Sequence, residues 1–257
     1  MEYFEFNKAK LTLQELNMSQ SKSTYKLVYK LIVLFGILSW STLSFAQLSI
    51  NSIDFDRISQ KKVRSLLRKQ QSHGIEFFRD LRPSCYSKQD SVNYSSHKSS
   101  QTIREKIQTV WDKLKSIKPH DEYRGKMVSF GFLYSSKFDR ILYSDDEYQE
   151  IEEGEIIYLN LKLLGGIKNI AVALEVTRVD DENKTIQLCY LNNGMTEGTQ
   201  QIKLSENTDG NTVICQETRY KNLSKFREKW LYPLFHEKAV NELHKNLCLL
   251  IETTRNQ

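Results

Sequence analysis

Apolar and polar positions alternate along most of residues 127–220, and on either side of this stretch the apolar positions recur every three or four residues. The first spacing predicts strands, because successive side chains of a strand point to opposite faces; the second predicts helices. Strands are expected over residues 127–134, 138–143, 155–164, 171–179, 185–191, 199–206 and 212–220. In 155–164, Ile157, Leu159, Leu161 and Leu163 oppose Tyr158, Asn160 and Lys162; in 171–179, Val172, Leu174 and Val176 oppose Ala173, Glu175 and Thr177. Gly165-Gly166, Asp180 to Asn183, Asn192-Asn193-Gly194 and Asp209-Gly210 mark turns between them. These are hairpin connections, so the strands should run antiparallel.

Three helices flank the strands. Residues 59–70 place Val63, Leu66, Leu67 and Gln70 on one face and basic residues on the other. Thr102-Ile103-Arg104-Glu105 has the form of a capping box, and Ile103, Ile107, Val110, Trp111 and Leu114 follow at helical spacing before Pro119. A long C-terminal helix over residues 226–253 carries His236, Val240, Leu243, Leu247 and Leu250 on one stripe. Residues 81–100 read as a connector with a short strand at 91–95. Helix, hairpin-linked strands, then one long amphipathic helix predict an α+β helix-grip fold. A curved antiparallel sheet wraps the C-terminal helix, with an extra helix at the N-terminal side. The expected organisation is a leader over residues 1–46, a helical extension and connector over 47–90, and the helix-grip domain over 91–257.

Several short segments carry a family resemblance from about Ser91 to the C-terminus. They are Val110-Trp111-Asp112-Lys113-Leu114, Glu153-Gly154-Glu155, Cys189-Tyr190-Leu191, Glu197-Gly198-Thr199-Gln200, Gly210-Asn211-Thr212, Phe226-Arg227, and Tyr232-Pro233 with His236. In order and spacing they resemble the polyketide-cyclase and START-like helix-grip (SRPBCC) superfamily, which includes the birch-pollen-allergen type, and within it an exported bacterial branch. The resemblance implies a cavity for an apolar or amphipathic small molecule or lipid. It implies no particular reaction, since this fold hosts carriers, cyclases and dehydratases.

Residues 22–46 have the layout of a secretory signal. Lys22, Lys26 and Lys30 precede an apolar run from Leu31 to Trp40, and Ser44-Phe45-Ala46 ends in a cleavage pattern before Gln47. A start at Met18 gives a signal of ordinary length. The run is short for a membrane span and is diluted by Ser39, Ser41, Thr42 and Ser44, so the mature chain is expected to be periplasmic or secreted. It would meet the membrane during export or only weakly at its surface. Removing residues 1–46 leaves 32 basic against 29 acidic residues, too mild an excess to imply a nucleic-acid partner.

Four widely spaced cysteines, Cys85, Cys189, Cys215 and Cys248, do not form a disulfide framework and contain no CxxC; they are expected to be reduced core residues. Cys189 and Cys215 in particular should lie about two strand spacings apart. The helical stripe turns His236 toward the sheet and sets His244, roughly 80° around the helix, off it. Glu237 and Glu242 are placed on other faces, so no metal site and no cofactor are expected. Asp145-Asp146-Glu147 lacks calcium-loop spacing and reads as a solvated turn. Neither serine nor cysteine catalysis has a paired base. Polar anchors in an otherwise apolar cavity would come from His236, Tyr232, Arg227 and Tyr190, with Tyr158 and Tyr220 as further tyrosines.

Non-catalytic binding of a hydrophobic ligand is therefore the leading expectation. Two others stand beside it: a cyclase or dehydratase using His236 with a tyrosine as acid and base, and an interaction module in which the 59–70 helix docks a membrane or a partner.

Overall fold

Helix α1 (Lys61–Ser72) forms where the Val63 and Leu67 spacing places it, and Val63, Leu67 and Gln70 are its buried residues. This computed structural model describes residues 47–192, 194–222, 224, 229 and 232–255. The expected leader at residues 1–46 and Arg227 lie outside them. Gln60 at the helix start makes no capping bond, and its amide donates to the Phe130 carbonyl at 2.5 Å, tying the helix to the sheet. Strand β1 (Ser95–Ile103), α2 (Ile107–Ser116) and the single turn α3 (Pro119–Glu122) follow. Next come β2 (Val128–Ser135), β3 (Arg140–Leu142), β4 (Glu155–Leu163) and β5 (Lys168–Asp180). Strands β6 (Thr185–Tyr190), β7 (Thr196–Glu206) and β8 (Thr212–Asn222) then lead to α4 (Tyr232–Arg255). The strands make one antiparallel sheet in the order β1-β8-β7-β6-β5-β4-β2-β3.

The capping box at Thr102 is not used. Thr102 is a strand residue opposite Val213, and α2 begins after Lys106 without a side-chain cap. All nine residues of β1, the first six of them in the expected connector, pair with β8. The Glu105 carbonyl accepts from both the amide and the hydroxyl of Thr212, at 3.1 and 2.7 Å. A nine-residue ladder outweighs a local cap worth about 1 kcal/mol.

Period-two alternation divides the sheet residues between two cores. Leu159, Leu174, Val176 and Leu188 face α4 and α2, in one core with Trp111 of α2 and Leu247 of α4. Facing the opposite way, Phe132, Tyr134, Ile156 and Tyr158 pack against Ile50, Val63, Leu67 and Phe78 of the preceding segment. A bulge between Phe130 and Phe132 sends these two rings to opposite faces. Gly131 sits in it because a Cβ there would meet the Tyr158 carbonyl at 2.9 Å and the Val63 side chain at 3.1 Å. Gly198, with φ +128°, is the second position where only glycine fits, since a Cβ would lie 1.9 Å from the Arg219 carbonyl across the β7–β8 pair.

Residues 48–94 cover the outer face and are fastened to it by polar bonds. The Asp54 amide donates to the Tyr143 hydroxyl at 2.8 Å, and Arg57 pairs with Asp145 and Asp146 at 2.5 and 2.8 Å. The expected solvated turn at 145–147 is thus partly an ion-pair anchor. Ser84 donates its amide to the Tyr190 carbonyl, and Tyr86 donates its own to Thr199 Oγ1.

Between these two bonds lies a correction to the cysteine expectation. Cys85 and Cys189 are bridged, with Cα atoms 5.0 Å apart. A separation of 104 residues disguised a contact made when the chain crosses the outer face of β6. Cys215 and Cys248 are free, and Cys189 is separated from Cys215 by β7.

Candidate functional site

A cavity of about 240 Å³ lies between α4 and the inner face of the sheet. Its walls are mostly aliphatic and include Leu161, Ile170, Val172, Leu174, Leu188 and Ile202. No Asp or Glu among the described residues lines it, and Lys168 is its one lysine.

One end is polar and self-bonded. Gln216 donates to Gln200 Oε1 at 2.7 Å, and Gln200 donates to the Tyr190 hydroxyl at 2.7 Å. That hydroxyl meets the Tyr232 hydroxyl at 2.6 Å. The Tyr232 ring stacks on Tyr220 on one side and on His236 on the other, with centroids 3.7 and 5.0 Å away. His236 Nε2 contacts Thr218 Oγ1 at 3.0 Å, and its Nδ1 contacts Nδ1 of His97 at 3.2 Å. Burial, reinforced by the adjacent His97, pulls the His236 imidazole down to about 3, so it is neutral at ordinary pH. Burial also pushes the Tyr190 phenol up to about 12, and Tyr232 is raised well above its ordinary value for the same reason. The site therefore presents neutral donors and acceptors at the end of an apolar chamber.

His236, Tyr232 and Tyr190 are thus brought together, while Arg227 falls outside the described residues. Tyr158 is on the other face, donating to Gln70 Oε1 at 3.0 Å. Sequence reasoning missed Gln200, Gln216, Thr218 and His97. A usable signal was present for the first three, because all share the buried phase of their strands with Ile202 and Ile214. His97 comes from the overlooked β1.

The helix stripe needs a second correction. The buried positions of α4 are Val240, His244, Leu247 and Ile251, so His244 is inside, 3% exposed, rather than at the edge. Neither of its ring nitrogens has a hydrogen-bond partner among the described residues, and burial pulls it down to about 4. The flank carrying His236 and Leu243 borders the cavity, whereas Asn241 and Cys248 lie toward β1. There Ser99 bonds Asn241, and Gln101 lies against Cys248. Glu242 accepts from the amides of Lys126, Met127 and Val128 at 2.7 to 3.0 Å, which docks the chain entering β2 onto the helix. Among the described residues no cluster of three or more His, Cys, Asp or Glu is placed to hold a metal ion. The carboxyls of buried Glu155 and half-buried Glu122 are pushed up to about 7 by desolvation, and neither lines the cavity.

A sheet gripping one long helix, with a chamber between them, makes this a helix-grip protein, the architecture of the superfamily that the sequence resembles. Among solved structures the chain is similar to ginseng major latex-like protein 151 from Panax ginseng, with 11% identity and a TM-score of 0.43, over 61% of this chain and 97% of that one. It is also similar to the KanY protein, with 13% identity and a TM-score of 0.46, over 62% and 98%. Norcoclaurine synthase from Thalictrum flavum, in complex with dopamine and hydroxybenzaldehyde, is similar at 12% identity and a TM-score of 0.45, over 65% and 93%. No family model and no curated protein sequence matches the chain.

Proposed function

We propose that this is an exported protein that holds a hydrophobic small molecule in the helix-grip cavity without transforming it. The observation that carries the reading is the cavity itself, aliphatic on its walls and closed at one end by a bonded set of neutral polar groups. Apolar walls supply affinity, and a few fixed polar groups supply orientation. Acid–base chemistry by His236 with a tyrosine is disfavoured by its surroundings. Both ring nitrogens are already engaged, Tyr232 stacks on the ring, and an imidazole pulled down to about 3 is a weak base at neutral pH. Export is supported by the signal-like layout of residues 22–46 and by the Cys85–Cys189 bridge, since disulfides persist in oxidising compartments.

Binding is tested with the neutral fluorescent probe N-phenyl-1-naphthylamine. The wild-type protein should bind it saturably, and Val172→Trp, which fills the chamber, should abolish binding while leaving the circular dichroism spectrum unchanged. A folded Val172→Trp variant that binds the probe as the wild type does would place the ligand elsewhere. For export, N-terminal sequencing of the mature protein should begin at Gln47.

A further inference from the structure

The sheet has a window beside the cavity. Strand β6 has 6 residues, against 13 in β5 and 11 in β7. Its ladder with β5 begins at Leu174 and Tyr190, with one further bond from the Leu191 amide to the Ala173 carbonyl. Residues 168–172 of β5 therefore pair only with β4 among the described strands, and Asn192, Gly194, Met195 and Thr196 form no ladder with them. A second cavity, of about 330 Å³, lies on the outer side of this gap between α1 and β5. Lys168, Ile170, Val172, Tyr190, Met195 and Thr196 line both cavities.

The two chambers differ in charge. The inner one is aliphatic with neutral polar groups, whereas the outer one is edged by Lys62, Lys69, Lys168 and His73 and has no Asp or Glu among its described lining residues. Lys62 and Lys69 are seven residues apart on α1 and therefore project from nearly the same side of the helix. We infer that the window joins both chambers into one site for a single-chain amphiphile, its apolar tail in the inner chamber and its anionic head group among Lys62, Lys69 and Lys168. The inference rests on the inner cavity being the ligand site. An aliphatic tail gains from the inner walls, and a carboxylate or phosphate gains from three ammonium groups at a rim with no Asp or Glu among its described lining residues. Neither gain is available to the same degree in the other chamber.

Displacement of bound N-phenyl-1-naphthylamine by dodecanoate, dodecyl phosphate and dodecanol, at pH 8 and below micelle-forming concentrations, tests it. At least one of the two anions should displace the probe at about one-fifth of the dodecanol concentration. Each partly exposed charge pair is worth a factor of a few. The advantage should shrink in 0.5 M NaCl, where such pairs are screened. Lys62→Gln with Lys69→Gln, both on the exposed side of α1, should remove most of the anion's advantage and leave dodecanol displacement unaltered. Which anion gains more tells a carboxylate head from a phosphate head. If dodecanol matches both anions, or the double variant keeps the full advantage, the outer chamber is not a head-group site, although the inner cavity remains a ligand site. If none of the three displaces the probe, the inner cavity takes no alkyl chain and the amphiphile inference falls, while probe binding lost in Val172→Trp still marks the inner cavity as a ligand site.

Discussion

On the outer face of the sheet, Phe78 stacks on Tyr134 at 4.3 Å and meets Phe132 and Tyr158 edge-on, and Ile50, Ile58, Val63 and Leu67 around them are fully buried. On the inner face the same strands present Leu161, Ile170 and Val172, none of them fully buried, to a void of about 240 Å³. Both faces are apolar and both follow period two. They differ in what covers them. Around Phe78 the outer face is closed by α1 and the turns beside it, tied down by a disulfide and ion pairs, and the second cavity opens farther along it, between α1 and β5. The inner face is covered by α2 and the long helix α4, which leave a chamber against the sheet. Stability should therefore be concentrated around Phe78 on the outer side, and capacity for an apolar ligand on the inner side.

The largest test of that contrast is Phe78→Ala, which removes a fully buried ring and should cost about 3 to 5 kcal/mol in urea unfolding. A loss under 1 kcal/mol would mean that the outer segment adds little to the fold. Next, replacing Cys85 and Cys189 together by serine opens a loop of about 100 residues. It should cost roughly 2 to 4 kcal/mol, with the 48–94 segment becoming the first to be cut in limited proteolysis.

A third test concerns the two buried histidines. Both are held below the ordinary imidazole value of 6.5, so between pH 6.5 and about 4 the unfolded chain binds protons that the folded chain does not. Stability should be full above pH 6.5 and fall as the pH drops. The slope should be roughly 1.4 kcal/mol per pH unit for each histidine, ending near 4 for His244 and near 3 for His236. His244→Leu removes two unpartnered buried nitrogens and should add about 1 kcal/mol at pH 7 while flattening that slope. An unchanged slope would place His244 in contact with water. The smallest effect belongs to Val172→Ala at the cavity wall, about 1 kcal/mol or less, because that side chain already borders a void. Its consequence should instead appear in probe affinity, and a cost equal to that of Phe78→Ala would erase the distinction between the faces.

Much of this was legible in the chain. Ile157, Leu159 and Leu161 alternate against Tyr158 as the two faces of a strand must, and the turns at 165–166, 180–183 and 209–210 fall where they were expected. The long helix and its contact with the sheet through His236, Val240 and Leu247 were equally readable. The failures share a cause. Thr102 was read from its four-residue neighbourhood, yet its conformation is set by β8, over a hundred residues away. His244 was judged from helical phase alone. Phase shows that a wide arc of α4 faces inward; it does not show which flank lies toward β1 and which borders the cavity.

Local sequence thus determined the elements, their alternation and the two apolar faces, because these depend on bond geometry and on the transfer of side chains from water. Tertiary structure decided which polar groups find one another. Tyr190, Gln200, Gln216 and Tyr232 become one bonded set only when three strands are in register and the helix is laid across them. Cys85 reaches Cys189 only when the preceding segment is folded over the outer face. The size of the chamber was likewise beyond the reach of pattern, since a void depends on how closely the sheet and the helix laid across it match, a property of neither alone.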